Sequence, residues 1–228
     1  MHPKTVYDDA TLSVAKDMSM ISAPEALERL KRGNRRFLAG EVTGVPRCED
    51  VRRAELLEGQ DPFAIILGCS DSRVPSEIIF NQGLGDLFVI RVAGNIVGIS
   101  QMGSVEFAAQ HFGTRLVVVL GHSGCGAVRA TLESIEQPLE GCSPDLLSIV
   151  DRIRPAVEGC YTPDFREDSE VSMRDAVRAN IQASAEQLRR RSRVLERLIA
   201  EEGLVVVGAE YSLATGAVDF FDGVPKED

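Results

Sequence analysis

Two short segments flanked by glycines hold the side chains that could bind a metal ion. The chain reads GCSDSRVP over residues 68–75 and GHSGCGA over residues 121–127. Together they contain two of the five cysteines and one of the three histidines: Cys69, His122 and Cys125. Zinc binds thiolate and imidazole, and a catalytic zinc keeps three protein ligands and one open position. We predict that these three side chains form such a site.

By default, a cysteine is interpreted as a small apolar side chain that packs in the protein interior. We apply this interpretation to the other three cysteines: Cys48, Cys142 and Cys160. A closed structural zinc site, with Cys142 or Cys160 as its fourth ligand, is a further alternative. Neither residue belongs to a second metal-type spacing such as C-x-x-C, which counts against that alternative.

Asp71 and Arg73 stand two residues apart in the first segment. As a plain salt bridge, the pair would only fasten the loop. Beside a metal whose charge two thiolates already cancel, it has a better use. Arg73 would keep Asp71 ionised, and the carboxylate would accept a proton from bound water or bind the metal itself.

Each of the two segments follows an apolar run that predicts a buried strand. Four such runs predict strands at 63–67, 87–93, 116–120 and 204–211. Helical patterns between and around them predict helices at 22–38, 104–111, 127–135, 145–157 and 171–202. This alternation predicts an α/β fold with a mostly parallel central sheet flanked by helices. Ligands bind at the carboxyl edge of such sheets, where both segments would lie.

We predict one domain over residues 22–228, preceded by a polar extension at residues 1–21. The helix at 22–38 has few apolar residues, so we expect it to lie outside the core or to reach another subunit. Residues 140–170 are rich in Pro, Asp, Glu and Ser at their ends, which favours a variable surface connection.

Composition opposes two classes of partner. The net charge is −10, which disfavours nucleic acid, and we interpret the cluster RRRSR at 189–193 as a solvated helix face. No apolar run approaches the roughly 20 residues of a membrane span, and the first twenty residues lack the apolar core of a secretory signal. An odd number of cysteines is typical of a reducing compartment, and we predict a cytoplasmic protein.

Three motifs carry a family resemblance: CSDSRVPSE at 69–77, GDLFVIRVAGNIV at 85–97 and GHSGCGAV at 121–128. In this order and spacing the chain resembles the β-class carbonic anhydrases (carbonate dehydratases), over about residues 22–223. The resemblance implies a zinc enzyme, with one ion per subunit, that hydrates carbon dioxide reversibly to bicarbonate and a proton through zinc-bound hydroxide. It also implies that Asp71 and Arg73 form the catalytic dyad, and that Asp71 is a fourth zinc ligand only in a closed state.

The resemblance also assigns substrate contacts. Gln60 and the backbone N–H of Gly126 would hydrogen-bond substrate, while Phe88 and Phe107 would line an apolar pocket suited to carbon dioxide. The implied fold is a parallel core with one added antiparallel strand. The implied assembly is a homodimer or tetramer with sites at the subunit interface, the N-terminal helix lying across the partner subunit.

Some bacterial members of the family carry an inhibitory bicarbonate site made of a Trp, an Arg and a Tyr. Arg91 and Tyr211 match two of these residues, but Ile66 occupies the Trp position and the chain contains no Trp. We therefore expect this regulatory site not to be intact. The plainer interpretation of Arg91 and Tyr211 is a structural hydrogen bond near a strand end.

Two rival functions remain open from the sequence. The same zinc site could hydrolyse carbonyl sulfide or carbon disulfide, which are linear analogues of carbon dioxide. The chain could instead be a non-catalytic scaffold stabilised by zinc, although the intact Asp71–Arg73 pair counts against that alternative.

Overall fold

A single five-stranded sheet forms the centre of the molecule. The computed structural model describes residues 21–41, 50–136, 141–161 and 169–226. The strands are β1 (Ala64–Gly68), β2 (Leu87–Arg91), β3 (Leu116–His122), β4 (Val205–Tyr211) and β5 (Val218–Asp222). Their order is β2-β1-β3-β4-β5; the first four are parallel, and β5 is antiparallel to β4. The predicted α/β fold and its four strands are confirmed.

Eight helices occur in the described residues. They are α1 (Ala23–Leu38), α2 (Asp50–Glu55), α3 (Ser76–Ile79), α4 (Ile99–His111), α5 (Gly126–Glu136), α6 (Pro144–Val157), α7 (Ser169–Arg190) and α8 (Arg193–Glu201). Short 3₁₀ turns lie at Leu56–Glu58, Ala93–Asn95 and Glu158–Cys160. Helix α4 packs on β1 and β2 and contacts α8. Helix α7 packs on β3 and β4 and also contacts α5 and α6. The sheet is thereby flanked by helices.

The central strands form the core because apolar side chains on both faces are covered by helices. Every residue of β1 and of β3 is buried. The edge strand β2 is different, since four of its five residues are only partly buried or exposed. Strand β5 is also partly exposed, and its apolar run is too short to stand out in the sequence. The family resemblance, not the local pattern, predicted this antiparallel strand.

The prediction of one continuous helix over 171–202 was wrong. The helix breaks at Ser192, where α7 ends and α8 begins. The Ser192 hydroxyl accepts a hydrogen bond from the backbone N–H of Leu195 at 3.1 Å and donates one to Glu106 Oε1 at 2.6 Å. A serine in this position caps a new helix, because its side chain satisfies an N–H of the first turn.

The arginine cluster at 189–193 is only in part the solvated face that we expected. Arg190 and Arg191 are exposed, whereas Arg189 is partly buried. Its guanidinium donates to the Val206 carbonyl at 2.8 Å and pairs with Asp222 at 2.6 Å, so it fastens α7 to β4 and β5. No helix in the described ranges is long and apolar enough to cross a membrane.

Helix α1 packs against its own chain. It begins with the capping box that SAPE predicts, in which Ser22 and Glu25 bind each other's backbone N–H groups. Its apolar face is buried through Ala26, Leu27 and Leu30, and α1 contacts α3 and β3. Its packing on a partner subunit stays a prediction. The polar extension falls almost entirely on residues 1–20, outside the described ranges.

Candidate metal centre

The three predicted ligands meet at the carboxyl edge of the sheet. Cys69 follows the last residue of β1, His122 is the last residue of β3, and Cys125 directly precedes α5. Strands β1 and β3 are parallel neighbours, with Gly68 opposite Leu120. This register places Cys69 beside the end of β3, where a tight turn brings Cys125 back toward His122. In that turn Gly124 has φ +64, a left-handed conformation that favours glycine.

The geometry fits one metal ion. The ligand atoms of Cys69, His122 and Cys125 all lie within 4.8 Å of one another, and all three residues are buried. His122 Nδ1 lies 3.1 Å from the Ser123 carbonyl oxygen, to which it can donate. The other ring nitrogen, Nε2, is buried and has no hydrogen-bond partner within the described ranges. A buried nitrogen without a partner is costly, and coordination to a metal would remove that cost.

The donor set is typical of zinc. Two thiolates and one imidazole match catalytic zinc sites that leave a fourth position open. The alternative of a closed site with a fourth cysteine is not supported, because the described cluster contains only three ligands. Cys142 and Cys160 are unpaired and partly buried, and Cys160 packs against the hydrophobic core. Cys48 lies outside the described residues.

The pKa values of the Cys69 and Cys125 thiols are shifted in opposite directions. The hydrogen bond from Cys125 lowers the pKa of Cys69 to about 4, and hydrogen bonds from the backbone N–H groups of Asp71 and Gly94 act in the same direction. The pKa of Cys125 is raised, chiefly by its hydrogen bond to Cys69 and by burial. One thiol is therefore ready to ionise, and a metal dication would favour the loss of the second proton as well.

Asp71 and Arg73 form a two-pronged ion pair beside the cluster. Arg73 Nε lies 2.9 Å from Asp71 Oδ1, and Nη2 lies 2.7 Å from Oδ2. The backbone N–H of Arg73 also donates to Oδ1 at 3.0 Å. The side-chain hydrogen bonds from Arg73 hold the pKa of Asp71 well below its usual range. Asp71 is thereby kept as a carboxylate, with Oδ2 only 3.8 Å from His122 Nε2.

Arg91 holds the loop that carries the first ligand. From the end of β2, its Nε donates to the Cys69 carbonyl at 3.0 Å, and its Nη2 donates to the Asp71 carbonyl. This is the structural role we considered for Arg91. Tyr211 is buried, and burial raises its pKa. Tyr211 lies on β4, whereas Arg91 lies on β2; the two strands are three strand positions, or about 14 Å, apart. Ile66 is fully buried in the core.

Ser123 fastens the second loop in a way that the sequence did not reveal. Its backbone N–H donates to the Tyr211 carbonyl, and its hydroxyl accepts from the backbone N–H of Leu213, each at 2.9 Å. The turn between His122 and Cys125 is thus tied to the β4–β5 hairpin. The only hint in the sequence was a serine where the turn needs a hydrogen-bonding side chain.

The proposed substrate residues do not all lie at this edge in one chain. Gly126 adjoins Cys125 at the start of α5 and is exposed. Gln60 is exposed and precedes the amino end of β1, roughly 17 Å of strand away from Cys69. Phe88 and Phe107 pack together, with ring centroids 6.4 Å apart, but Phe88 pairs in register with Ile65, four residues before Cys69.

Comparisons with known proteins agree on one family. A sequence profile described as carbonic anhydrase matches residues 64–218. A carbonic anhydrase of Mycolicibacterium smegmatis is 38% identical over 195 residues, which cover 85% of this chain and 91% of that protein. Carbonic anhydrase 2 of Mycobacterium tuberculosis is 39% identical over 198 residues, covering 84% and 89% respectively.

Solved structures show the same likeness. A tetrameric β-carbonic anhydrase of Sordaria macrospora superposes with a TM-score of 0.66 at 25% identity, covering 76% of this chain and 87% of that one. A β-carbonic anhydrase of Aspergillus fumigatus gives a TM-score of 0.64 at 26% identity, covering 78% and 85%.

Proposed function

Because this chain belongs to the β-carbonic anhydrase family, we propose that Cys69, His122 and Cys125 hold one zinc ion per subunit. The enzyme is a carbonic anhydrase, which hydrates carbon dioxide reversibly to bicarbonate and a proton. The observation that carries the zinc assignment is the convergence of three buried donors, among them a His122 Nε2 without another partner. When bound, zinc would supply the Lewis acid that activates water.

Asp71 is the residue we assign to proton handling. Its carboxylate is ionised because Arg73 engages both oxygens, and Oδ2 is the oxygen nearer to His122. Oδ2 would accept a hydrogen bond from the reacting water, orient it and take up a proton as needed. In the structure Asp71 is bound to Arg73, so binding of Asp71 to the metal would require this pair to separate.

Substrate binding is assigned to two subunits. The backbone N–H of Gly126 lies next to a ligand of the same chain, so it would serve the site of its own subunit. Gln60, Phe88 and Phe107 lie at other levels of the sheet, and Phe107 is 49% exposed. These three residues would complete the site of a partner subunit in a homodimer or tetramer. The Sordaria macrospora relative is a tetramer, which supports an oligomeric assembly.

A cytoplasmic location is part of the proposal. The four described cysteines are unpaired, including both sulfur ligands. A zinc site with two thiolates has to avoid oxidation of its cysteines to a disulfide, and a reducing compartment provides that protection.

The test combines an indicator assay of carbon dioxide hydration with zinc quantification. Wild-type protein should contain about one zinc per chain and hydrate carbon dioxide well above the buffer rate. Cys69→Ala should lose both, whereas the control Cys142→Ala should keep both. Full zinc loading and an undiminished rate in Cys69→Ala would overturn the site. Wild-type protein that binds zinc but gives no rate at neutral or mildly alkaline pH would point to carbonyl sulfide, carbon disulfide or a scaffold role.

A further inference from the structure

The sulfur of Cys69 is held from two sides. Backbone hydrogen bonds from Asp71, in the same loop, and from Gly94 lower the pKa of this thiol. The residue before the Gly94 turn, Val92, also donates its backbone N–H to the carbonyl of Gly68, the neighbour of Cys69, at 3.1 Å. Gly94 belongs to the 3₁₀ turn after β2, a different part of the chain. Hydrogen bonds of this kind fix the direction in which a thiolate ligand points and tune its basicity. The position of Gly94 therefore bears directly on this ligand.

The turn that carries Gly94 is tightly confined. Gly94 has φ +68, and a Cβ atom placed there would lie 2.6 Å from Ile153 Cδ1 and 3.2 Å from Ala127 Cβ. The next residue, Asn95, also has a positive φ of 44. Elements β1, β3, α5, α6 and α7 all pack around this turn. A conformation that is rare for side-chain-bearing residues persists only when the surroundings hold it in place.

Asn180 supplies a specific polar contact to this turn. It lies on α7 with 2% of its surface exposed, between the buried residues Val177 and Ile181. Its Nδ2 donates to the Gly94 carbonyl at 2.8 Å, a buried hydrogen bond between residues 86 positions apart. A buried amide among apolar side chains costs free energy unless it is hydrogen-bonded, and here the bond is to the backbone of a residue that contacts Cys69.

We propose that Asn180 is a positioning residue for the metal ligand Cys69. Asn180 binds the Gly94 carbonyl and thereby fixes the orientation of Gly94. The N–H group of Gly94 then stays directed at the Cys69 sulfur. This inference rests on the proposed zinc function of the cluster. Residues that orient metal ligands typically change metal affinity by about 10- to 100-fold when they are replaced, and we expect a loss in that range here.

Two variants test the assignment. Asn180→Leu keeps the number and branching of the side-chain heavy atoms and removes the donor, while Asn180→Ala removes the side chain beyond Cβ. The control is Asn34→Ala: Asn34 is also a buried asparagine, and its Nδ2 donates to the Ile79 and Gly216 carbonyls, away from Cys69. Zinc affinity is measured by competition with a chromophoric chelator. The charge-transfer band between thiolate and metal is measured in the cobalt-substituted proteins.

Both Asn180 variants should bind zinc about 10- to 100-fold more weakly and shift the charge-transfer band. Asn34→Ala should lower thermal stability while leaving zinc affinity and the band unchanged. Asn180 variants that match the wild type in affinity and spectrum would overturn the inference while leaving the zinc site intact. Wild-type protein that binds no zinc would instead overturn the proposed function.

A measurement on the wild type covers the case in which neither Asn180 variant folds. In protein loaded with an NMR-active cadmium isotope, the Gly94 amide proton should couple to the metal through the hydrogen bond to Cys69 sulfur. Absence of that coupling, with the Asp71 amide coupled, would overturn the inference.

Discussion

Asp71 Oδ2 lies 3.8 Å from His122 Nε2 while the same oxygen is bound by Arg73 at 2.7 Å. The carboxylate is thus close to the metal cluster and is also restrained beside it. Its exposed fraction is 18%, against 57% for Arg73, so the carboxylate is the more sheltered member of the pair. A restrained and ionised carboxylate beside a metal site is suited to orienting a reacting water molecule.

Replacing Asp71 with Asn should separate metal binding from turnover. Asn keeps the size of the side chain but loses its charge and its ability to take up a proton, so kcat should fall by about 10²- to 10⁴-fold. Zinc content should stay close to the wild-type value. Stopped-flow hydration kinetics with parallel zinc analysis measure both. The exposed Asp151, changed to Asn, serves as control, and an Asp71→Asn enzyme with wild-type kcat would contradict the assigned role.

Replacing Arg73 with Gln should change how stability depends on pH. Because Arg73 lowers the folded-state pKa of Asp71, the pair stabilises the fold above the ordinary Asp pKa of about 4, and this contribution is lost as the pH falls through the folded value. The effect should be small, since Arg73 is largely exposed to solvent.

Denaturant unfolding of metal-free proteins measures this effect. The stability difference between wild type and Arg73→Gln should be present at neutral pH and shrink progressively below about pH 4. Arg197→Gln, at an exposed position of α8, should show no such trend. A difference that grows as the pH is lowered would contradict the assigned pair.

The metal-free protein should carry an ionised Cys69 at neutral pH. The pKa of Cys69 is about 4, and the hydrogen bond from Cys125 is the largest cause. Titration of the ultraviolet thiolate absorbance should show this ionisation in the wild type and not in Cys69→Ala. Cys125→Ala should move it to higher pH, whereas Cys142→Ala should leave it in place. An unchanged midpoint in Cys125→Ala would show that Cys125 is not the cause.

Gln60 should act across a subunit boundary. It lies at the amino end of β1, and the ligands lie at the carboxyl edge, so we expect it to serve a partner's site. Gln60→Ala and Cys69→Ala proteins, unfolded and refolded together, should form mixed oligomers in which one site has both an intact Gln60 and an intact cluster. The mixture should then exceed the mean activity of the two parents. A mixture equal to that mean would place Gln60 outside the partner's site.

The cluster could be predicted from sequence because Cys69 and His122 lie at the ends of two clearly apolar strands, and Cys125 follows His122 by only three residues. Apolar β-branched runs precede Cys69 and His122, and parallel strands place their carboxyl ends on one edge. The short spacing between His122 and Cys125 keeps that pair together in any fold. Only the adjacency of β1 and β3 had to be supplied by the tertiary structure, and the α/β pattern already favoured it.

The sequence pattern did not predict the helix boundary at Ser192, because one side-chain hydroxyl sets it. Helical spacing runs through Ser192 without a break, yet the chain ends one helix and caps another there, since Ser192 also bonds Glu106 on α4. That second contact depends on how α4 and α8 pack. It cannot be read from the spacing of apolar residues around Ser192.

The sequence by itself determined the type of site: the three ligands, the Asp71–Arg73 pair and the strands that end beside them. Tertiary structure alone decided what holds those residues in place. Arg91 reaches the Cys69 loop from β2, and Asn180 reaches Gly94 from α7, 86 residues along the chain. Strand and helix patterns arise from interactions between near neighbours in sequence. Contacts between distant residues, such as those of Arg91 and Asn180, form only when the strands and helices pack together, so no local sequence pattern encodes them.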